Sequence, residues 1–312
     1  MIRWSHFLLI SFSLALVVLV RDNVQAQYAA SVVSYNAGAT PVSGFTMPSA
    51  AIGEPERFTG EGAFPGAVSP FNPPYLASEI VSVGEGGHIT LRLSHYAIPQ
   101  ESGPEIGVFE NIGLVDVNFP SGEAGSPAGT FGPLDSAVVD VSADGFDWVS
   151  LGCMTFDVPT NGYTDLTNPF AVAPSSVPSD FQQPFVGSLS SFDGLPYFDA
   201  SGPDMLELLA GSGGGTWLDI SGTGLAQVGF IRFSVAEDFD ANSRLNFELD
   251  AVSIAHGAVG TLVVPEPAAI AVCWFPMMAF ILSHSRAAYH RRAWGGCRQL
   301  QAREPRRRRK SD

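Results

Sequence analysis

The sequence predicts an all-β chain folded as an antiparallel β-sandwich with long loops, on three observations. Short runs rich in Val, Ile, Phe and Thr recur between residues 27 and 264, separated by clusters of Gly, Pro, Asn, Asp and Ser. Within those runs apolar residues alternate: Ile89, Leu91 and Leu93 fall on one face, Thr90 and Arg92 on the other. Helical periodicity is nearly absent, and only 204–210 reads as a short helix, with Met205, Leu206, Leu208 and Leu209 as its apolar side.

The chain opens with Arg3 and His6 ahead of an apolar run over 7–20, and Val24-Gln25-Ala26 presents small residues at the positions a signal peptidase reads. A signal peptide over 1–26, cut between Ala26 and Gln27, is expected. The β-sandwich ectodomain follows over 27–258. Strands are expected at 80–83, 88–93, 105–110, 137–142, 148–154, 229–235 and 246–254, where β-branched and aromatic residues concentrate. Asp144-Gly145 supplies a tight turn between two apolar strands, the strongest hairpin signal in the chain. Two long loops, 35–74 and 161–195, are dense in Pro, Gly and Ser. Their aromatic residues, among them Phe71, Phe181, Phe185 and Phe192, predict that they pack rather than float.

Charge narrows the partners. Residues 27–264 carry 27 Asp and Glu against Arg57, Arg92, Arg232 and Arg244 and no Lys, a formal net of −23 that the whole-chain value of −15 conceals. Such a surface repels nucleic acid and anionic lipid, and suits solubility or association with divalent cations. Cys153 is the one cysteine in this segment, so the segment closes no disulfide within itself.

The last part, 259–312, reads as an address. Val264-Pro265-Glu266-Pro267 precedes an apolar run over 268–282, and ten of the sixteen Lys and Arg residues lie beyond Leu282. The run is shorter than the roughly 20 residues of a free-standing membrane helix, and the positive charge behind it fixes that end in the cytoplasm. This order of parts resembles the PEP-CTERM sorting signal of exported bacterial proteins. The resemblance implies a hydrophobic membrane helix, recognition by an exosortase-type processing enzyme, and a product on the cell envelope or surface or released. Two features depart from the pattern: Pro276 interrupts the apolar run, and about thirty residues follow it. A plain stop-transfer anchor that is never cut is the alternative.

The ectodomain resembles the discoidin-like, galactose-binding-type jelly-roll domains of secreted surface proteins, so the sandwich is expected to be jelly-roll-like. The pieces that carry the likeness include Gly84-Glu85-Gly86-Gly87-His88-Ile89-Thr90-Leu91, Gly103-Pro104-Glu105-Ile106-Gly107-Val108-Phe109-Glu110-Asn111, Gly213-Gly214-Gly215-Thr216-Trp217-Leu218-Asp219 and Phe247-Glu248-Leu249-Asp250-Ala251-Val252. It implies that the strands carrying Glu105, Glu110 and Asn111 lie near the one carrying Glu248 and Asp250. Five oxygen-bearing side chains converging with few positive partners suit calcium, a hard ion taking six to eight oxygens. Simple alternation pointing Glu248 and Asp250 outward is the competing account. Asp238-Phe239-Asp240-Ala241-Asn242 starts like a calcium loop but lacks its turn glycine and closing acid. Of the two ectodomain tryptophans, Trp217, after three glycines, is the better candidate for a carbohydrate platform and Trp148 for the core, with core packing the competing account for Trp217 as well.

No catalytic motif appears. There is no Gly-x-Ser-x-Gly elbow, the 211–215 glycine run lacks the Lys and helix of a phosphate loop, and His88, His95 and His256 lack zinc-ligand spacing. The expectation is a non-catalytic exported protein associating with extracellular polysaccharide or envelope. A glycan hydrolase or lyase on the same scaffold, and a calcium-dependent adhesion module, are the alternatives.

Overall fold

Alternating apolar residues build antiparallel sheets in the computed structural model, which describes residues 27–59, 66–237 and 246–263. In chain order the strands are β1 (Ala29–Asn36), β2 (Phe58–Thr59), β3 (Gly66–Ala67), β4 (Val81–Gly84), β5 (His88–Ala97), β6 (Ile106–Glu110), β7 (Ser136–Ser142), β8 (Trp148–Thr155), β9 (Thr216–Leu218), β10 (Val228–Ser234), β11 (Asn246–Ile254) and β12 (Val259–Leu262). The larger sheet runs β1-β5-β10-β7-β8, with β12 also on β5. The smaller runs β4-β11-β6-β9, and β2 and β3 pair alone.

The inward phase of each strand fills one core between the two sheets. Ile89, Leu91, Ile231 and Phe233 enter it from the larger sheet, and Val83, Ile106, Val108 and Phe247 from the smaller. Phe247 stacks on Phe233 with ring centroids 4.9 Å apart and tilts against Phe156 at 5.0 Å. Each such side chain, fully removed from water, contributes about 1.5–3 kcal/mol before entropy is counted. Before β1 joins the larger sheet, Tyr28 bridges to Ser253 of β11, so the start of the chain ties both sheets together.

The β7–β8 turn forms as its sequence predicts. Gly145 takes φ +83°, a conformation that side chains resist, and the Asp144 carboxylate accepts from the backbone N–H of Phe146 at 2.8 Å and Asp147 at 3.0 Å. The short helix α1 (Met205–Leu209) starts where Asp204 caps it, accepting from Glu207 N–H at 2.7 Å, and buries Met205 and Leu209.

The long loops pack, as their aromatics predict. Phe71, Tyr163, Leu166, Phe185, Phe192 and Tyr197 gather with Leu114 and Met205 into a second core outside the sheets. The Tyr197 hydroxyl donates to Asn161 Oδ1 at 3.0 Å, satisfying the polar end of a fully buried ring.

The sheet extends past the expected domain boundary at 258. Val259 and Leu262 pair with Ala97 and His95, and Val263 N–H donates to Ser94 O at 3.0 Å. The expected signal peptide through Ala26, the 238–242 turn, the sorting motif Val264, Pro265, Glu266 and Pro267, and the hydrophobic helix lie outside the described residues. Among the described residues no helix is long and apolar enough to cross a membrane.

Candidate ligand-binding recess

Glu110 closes β6. Ile106 and Val108 point into the main core, and the strand period of two carries Glu110 to the same side, at one end of the space between the sheets. Two acids meet it there from the other sheet: Asp135, immediately before β7, and Asp157, just beyond β8. Ser136 and Thr155 are paired across these strands, which brings both acids to the same end. Glu110 is 2 % exposed, and neither of its carboxyl oxygens has a hydrogen-bond partner. Burial first, then the charges of Asp135, Glu248 and Asp157, hold its pKa well above the usual carboxylate range.

Its neighbours are better satisfied. Asp135 Oδ2 accepts from Glu248 N–H at 2.9 Å, yet burial and the Glu248 charge push its pKa up to about 8. Glu248 accepts from the side-chain amides of Asn111 at 3.0 Å and Asn246 at 2.8 Å, while burial raises its pKa against them. Asp157 accepts from Leu189 N–H at 3.1 Å and is also raised by burial. Beside these groups lies a cavity of about 260 Å³ lined by Asn111, Asp135, Asn246 and Glu248, with Phe131, 68 % exposed, contributing an aromatic ring. Carboxylates and amides with an aromatic beside them suit a ligand rich in hydroxyl groups, or a hard cation.

The structure divides the five expected calcium ligands. Glu110, Asn111 and Glu248 come together, joined by Asp135. Glu105 stands at the other end of β6, about 17 Å away by strand rise. It is fully buried, and its two oxygens accept from the N–H groups of Gln100 at 2.6 Å and Ile220 at 2.9 Å, fastening two loops. Asp250 holds a different segment: both its oxygens accept from Glu56 N–H, at 3.3 and 3.0 Å. Burial, with the charges of Glu56 and Glu79, raises its pKa well above the carboxylate range. Among the described residues no three acids, histidines or cysteines are already set at metal-ligand spacing, so the five do not form one cage.

Trp217 lies, partly buried, as a wedge between the apolar clusters. Its indole N–H donates to Gly214 O at 2.9 Å, its ring meets Phe109 edge-on at 6.4 Å, and it packs against all three apolar clusters of the fold. Trp148 lies instead on the outer face of the larger sheet under the Arg232 guanidinium, 4.0 Å from its ring centroid. His256 pairs with Asp180 at 2.7 Å on the surface.

Asp135 is the residue that sequence reasoning missed. It sits just outside an apolar strand with no spacing motif, and only the packing of the two sheets, fastened by the Glu248 N–H to Asp135 hydrogen bond, brings it to Glu110. Comparison with family models and with curated proteins finds no match to this chain.

Proposed function

We propose that this chain is an exported, non-catalytic surface protein that engages extracellular polysaccharide at the Asn111–Asp135–Asn246–Glu248 recess, with a divalent cation such as calcium neutralising the acids around Glu110. The observation that carries this reading is Glu110: a buried carboxyl with two unpartnered oxygens among three other acids lacks only a proton or a cation to complete it. Export rests on the signal-peptide pattern and on the resemblance to PEP-CTERM tails, which implies signal peptidase and an exosortase-type enzyme as processing partners. The likeness to discoidin-type jelly rolls is consistent with glycan binding. The cavity, at about 260 Å³, falls below the roughly 300–1,000 Å³ of drug-sized ligand sites, which suits a terminal sugar unit or a hydrated ion better than a chain threading a cleft.

One observation favours the enzyme alternative. Asp135, with its pKa pushed to about 8, keeps its proton near neutrality beside Glu248, which two amides support as a carboxylate, and such a split pair is the pattern of a general acid and base.

A glycan array probed with the full chain, in calcium and again in chelator, separates the readings. Calcium-dependent capture lost in Glu248→Gln, with no release of reducing ends from the captured glycan, supports the binding role. Turnover abolished by Asp135→Asn or Glu248→Gln replaces it with the enzyme. Silence in both conditions by a folded protein removes the recess as a glycan site.

A further inference from the structure

The outer face of the larger sheet carries a second, differently built surface. Strand alternation turns Ile89, Leu91 and Leu93 inward on β5 and Ile231 and Phe233 inward on β10, so His88, Thr90, Arg92, Phe230 and Arg232 face out. Register aligns them in rows. One row runs Arg92–Phe230–Ser142–Trp148 across four strands, roughly 14 Å at normal strand spacing, and the next sets Thr90, Arg232, Asp140 and Ser150 side by side. Arg232 links the rows, its guanidinium lying over the Trp148 ring at 4.0 Å while its Nε donates to Thr90 Oγ1 at 3.0 Å. Arg92 is braced by Ser31 Oγ and Val263 O, at 3.0 and 2.7 Å. At the hairpin end, Phe146 extends the aromatic set into solvent.

Charge sets this face apart. In a segment with 27 acids and four arginines, two of the arginines stand on one sheet face in adjacent rows. The acid within these rows, Asp140, is buried at 6 % exposure and offsets Arg232 only in part. Asp144 and Asp147 belong to the hairpin turn, where Asp144 is engaged by backbone N–H groups. Screening confines the repulsion of acids elsewhere on the molecule to about 8 Å at physiological salt. Guanidinium groups beside flat rings recognise carboxylate or sulfate groups carried on sugar rings: the arginines take the anion, Trp148 beneath Arg232 holds its guanidinium in place, and Phe230 is left to meet the sugar ring.

We propose that this face, centred on Arg92, Phe230, Arg232 and Trp148, is a binding platform for an anionic polysaccharide, a chain of uronic-acid or sulfated sugars. It is separate from the recess and needs no divalent cation.

Affinity electrophoresis of the full chain through gels holding polygalacturonate, dextran sulfate or neutral dextran, with chelator throughout, tests it. Both polyanions are expected to retard the protein and neutral dextran to leave it free. Arg92→Gln and Arg232→Gln should each weaken retardation about tenfold, the size of one charge-assisted contact. Arg232→Lys should recover part of the loss, while Glu248→Gln in the recess should leave retardation intact. Circular dichroism and thermal melts confirm that each variant is folded. Equal mobility in polyanion and neutral gels, or folded arginine variants retarded like the parent, overturns the proposal. Loss of retardation in Glu248→Gln alone would move polyanion binding to the recess and overturn it too. Because chelator is present throughout, failure here leaves calcium-dependent capture at the recess unaffected, and the reverse holds.

Discussion

At the scale of single residues, the acids around Glu110 make the fold sensitive to pH. Asp135 rises to about 8 and Glu110, Glu248 and Asp157 rise with it, all mainly through burial. A carboxyl held higher in the folded than in the unfolded chain makes the folded state the tighter proton binder. The contribution of Asp135 is therefore full near pH 4, falls as pH rises towards 8 and levels off above it, in metal-free solution, and the other three carboxyls act in the same direction. Asp135→Asn keeps an oxygen to accept from Glu248 N–H and removes one charge. It should leave stability near pH 5 within error and raise it at pH 8 by about 1–2 kcal/mol, the size of a buried polar mismatch relieved. Urea melts at the two pH values read the difference; a variant less stable than the parent at pH 8 would show that the charge is already compensated. Asn111 and Glu248 were legible as neighbours through the jelly-roll resemblance, and the pairing of β6 with β11 sets Asn111, just past the end of β6, beside Glu248. Asp135 was not, since its neighbours Pro133 and Leu134 carry no periodic signal and its place depends on how the two sheets pack.

At the scale of elements, legibility followed the strength of alternation. β4 to β8, β10 and β11 stand where β-branched runs predicted strands, and Asp204 caps the one predicted helix. β12 escaped because Val259-Gly260-Thr261-Leu262 is short and half exposed, and its pairing partner β5 lies far back in the chain. The setting of Trp217 was not legible, because the sequence shows only three preceding glycines, whereas the structure holds Gly214 and Gly215 at positive φ beside close neighbours. Gly215 has the Phe109 ring 2.8 Å from where a Cβ would stand. If Trp217 is the wedge between cores, Trp217→Ala should destabilise the fold by about 3 kcal/mol, at the lower end for an aromatic truncation because the ring is only half buried. Glycan retention per folded molecule should not change. A variant of parental stability that no longer captures glycan would return Trp217 to the role of platform.

At the scale of the whole molecule, two apolar cores support a surface whose charge is almost all of one sign. The sandwich core and the loop core meet at Trp217, so the long loops are fastened to the sheets and can hold the recess in place beside β6 and β11. Self-repulsion of an acidic surface, and of the buried acids above all, weakens the compact state, and a cation that binds only the folded chain reverses part of that. For a site of affinity near 10⁻⁴ M, within the range of extracellular calcium modules, a hundredfold excess of ion stabilises by about 2.7 kcal/mol. In a domain of this length that corresponds to a rise in Tm of about 5–11 °C. Protons and calcium compete for the same carboxyls, so the rise should be large at pH 8 and small at pH 5. Thermal melts of the full chain with calcium and with chelator at both pH values test this. Glu248→Gln should abolish most of the rise, whereas Asp250→Asn, in a separate cluster, should keep it. An equal shift at both pH values, or one that survives in Glu248→Gln, would place the ion elsewhere on the acidic surface and leave the buried carboxyls to be neutralised by protons alone.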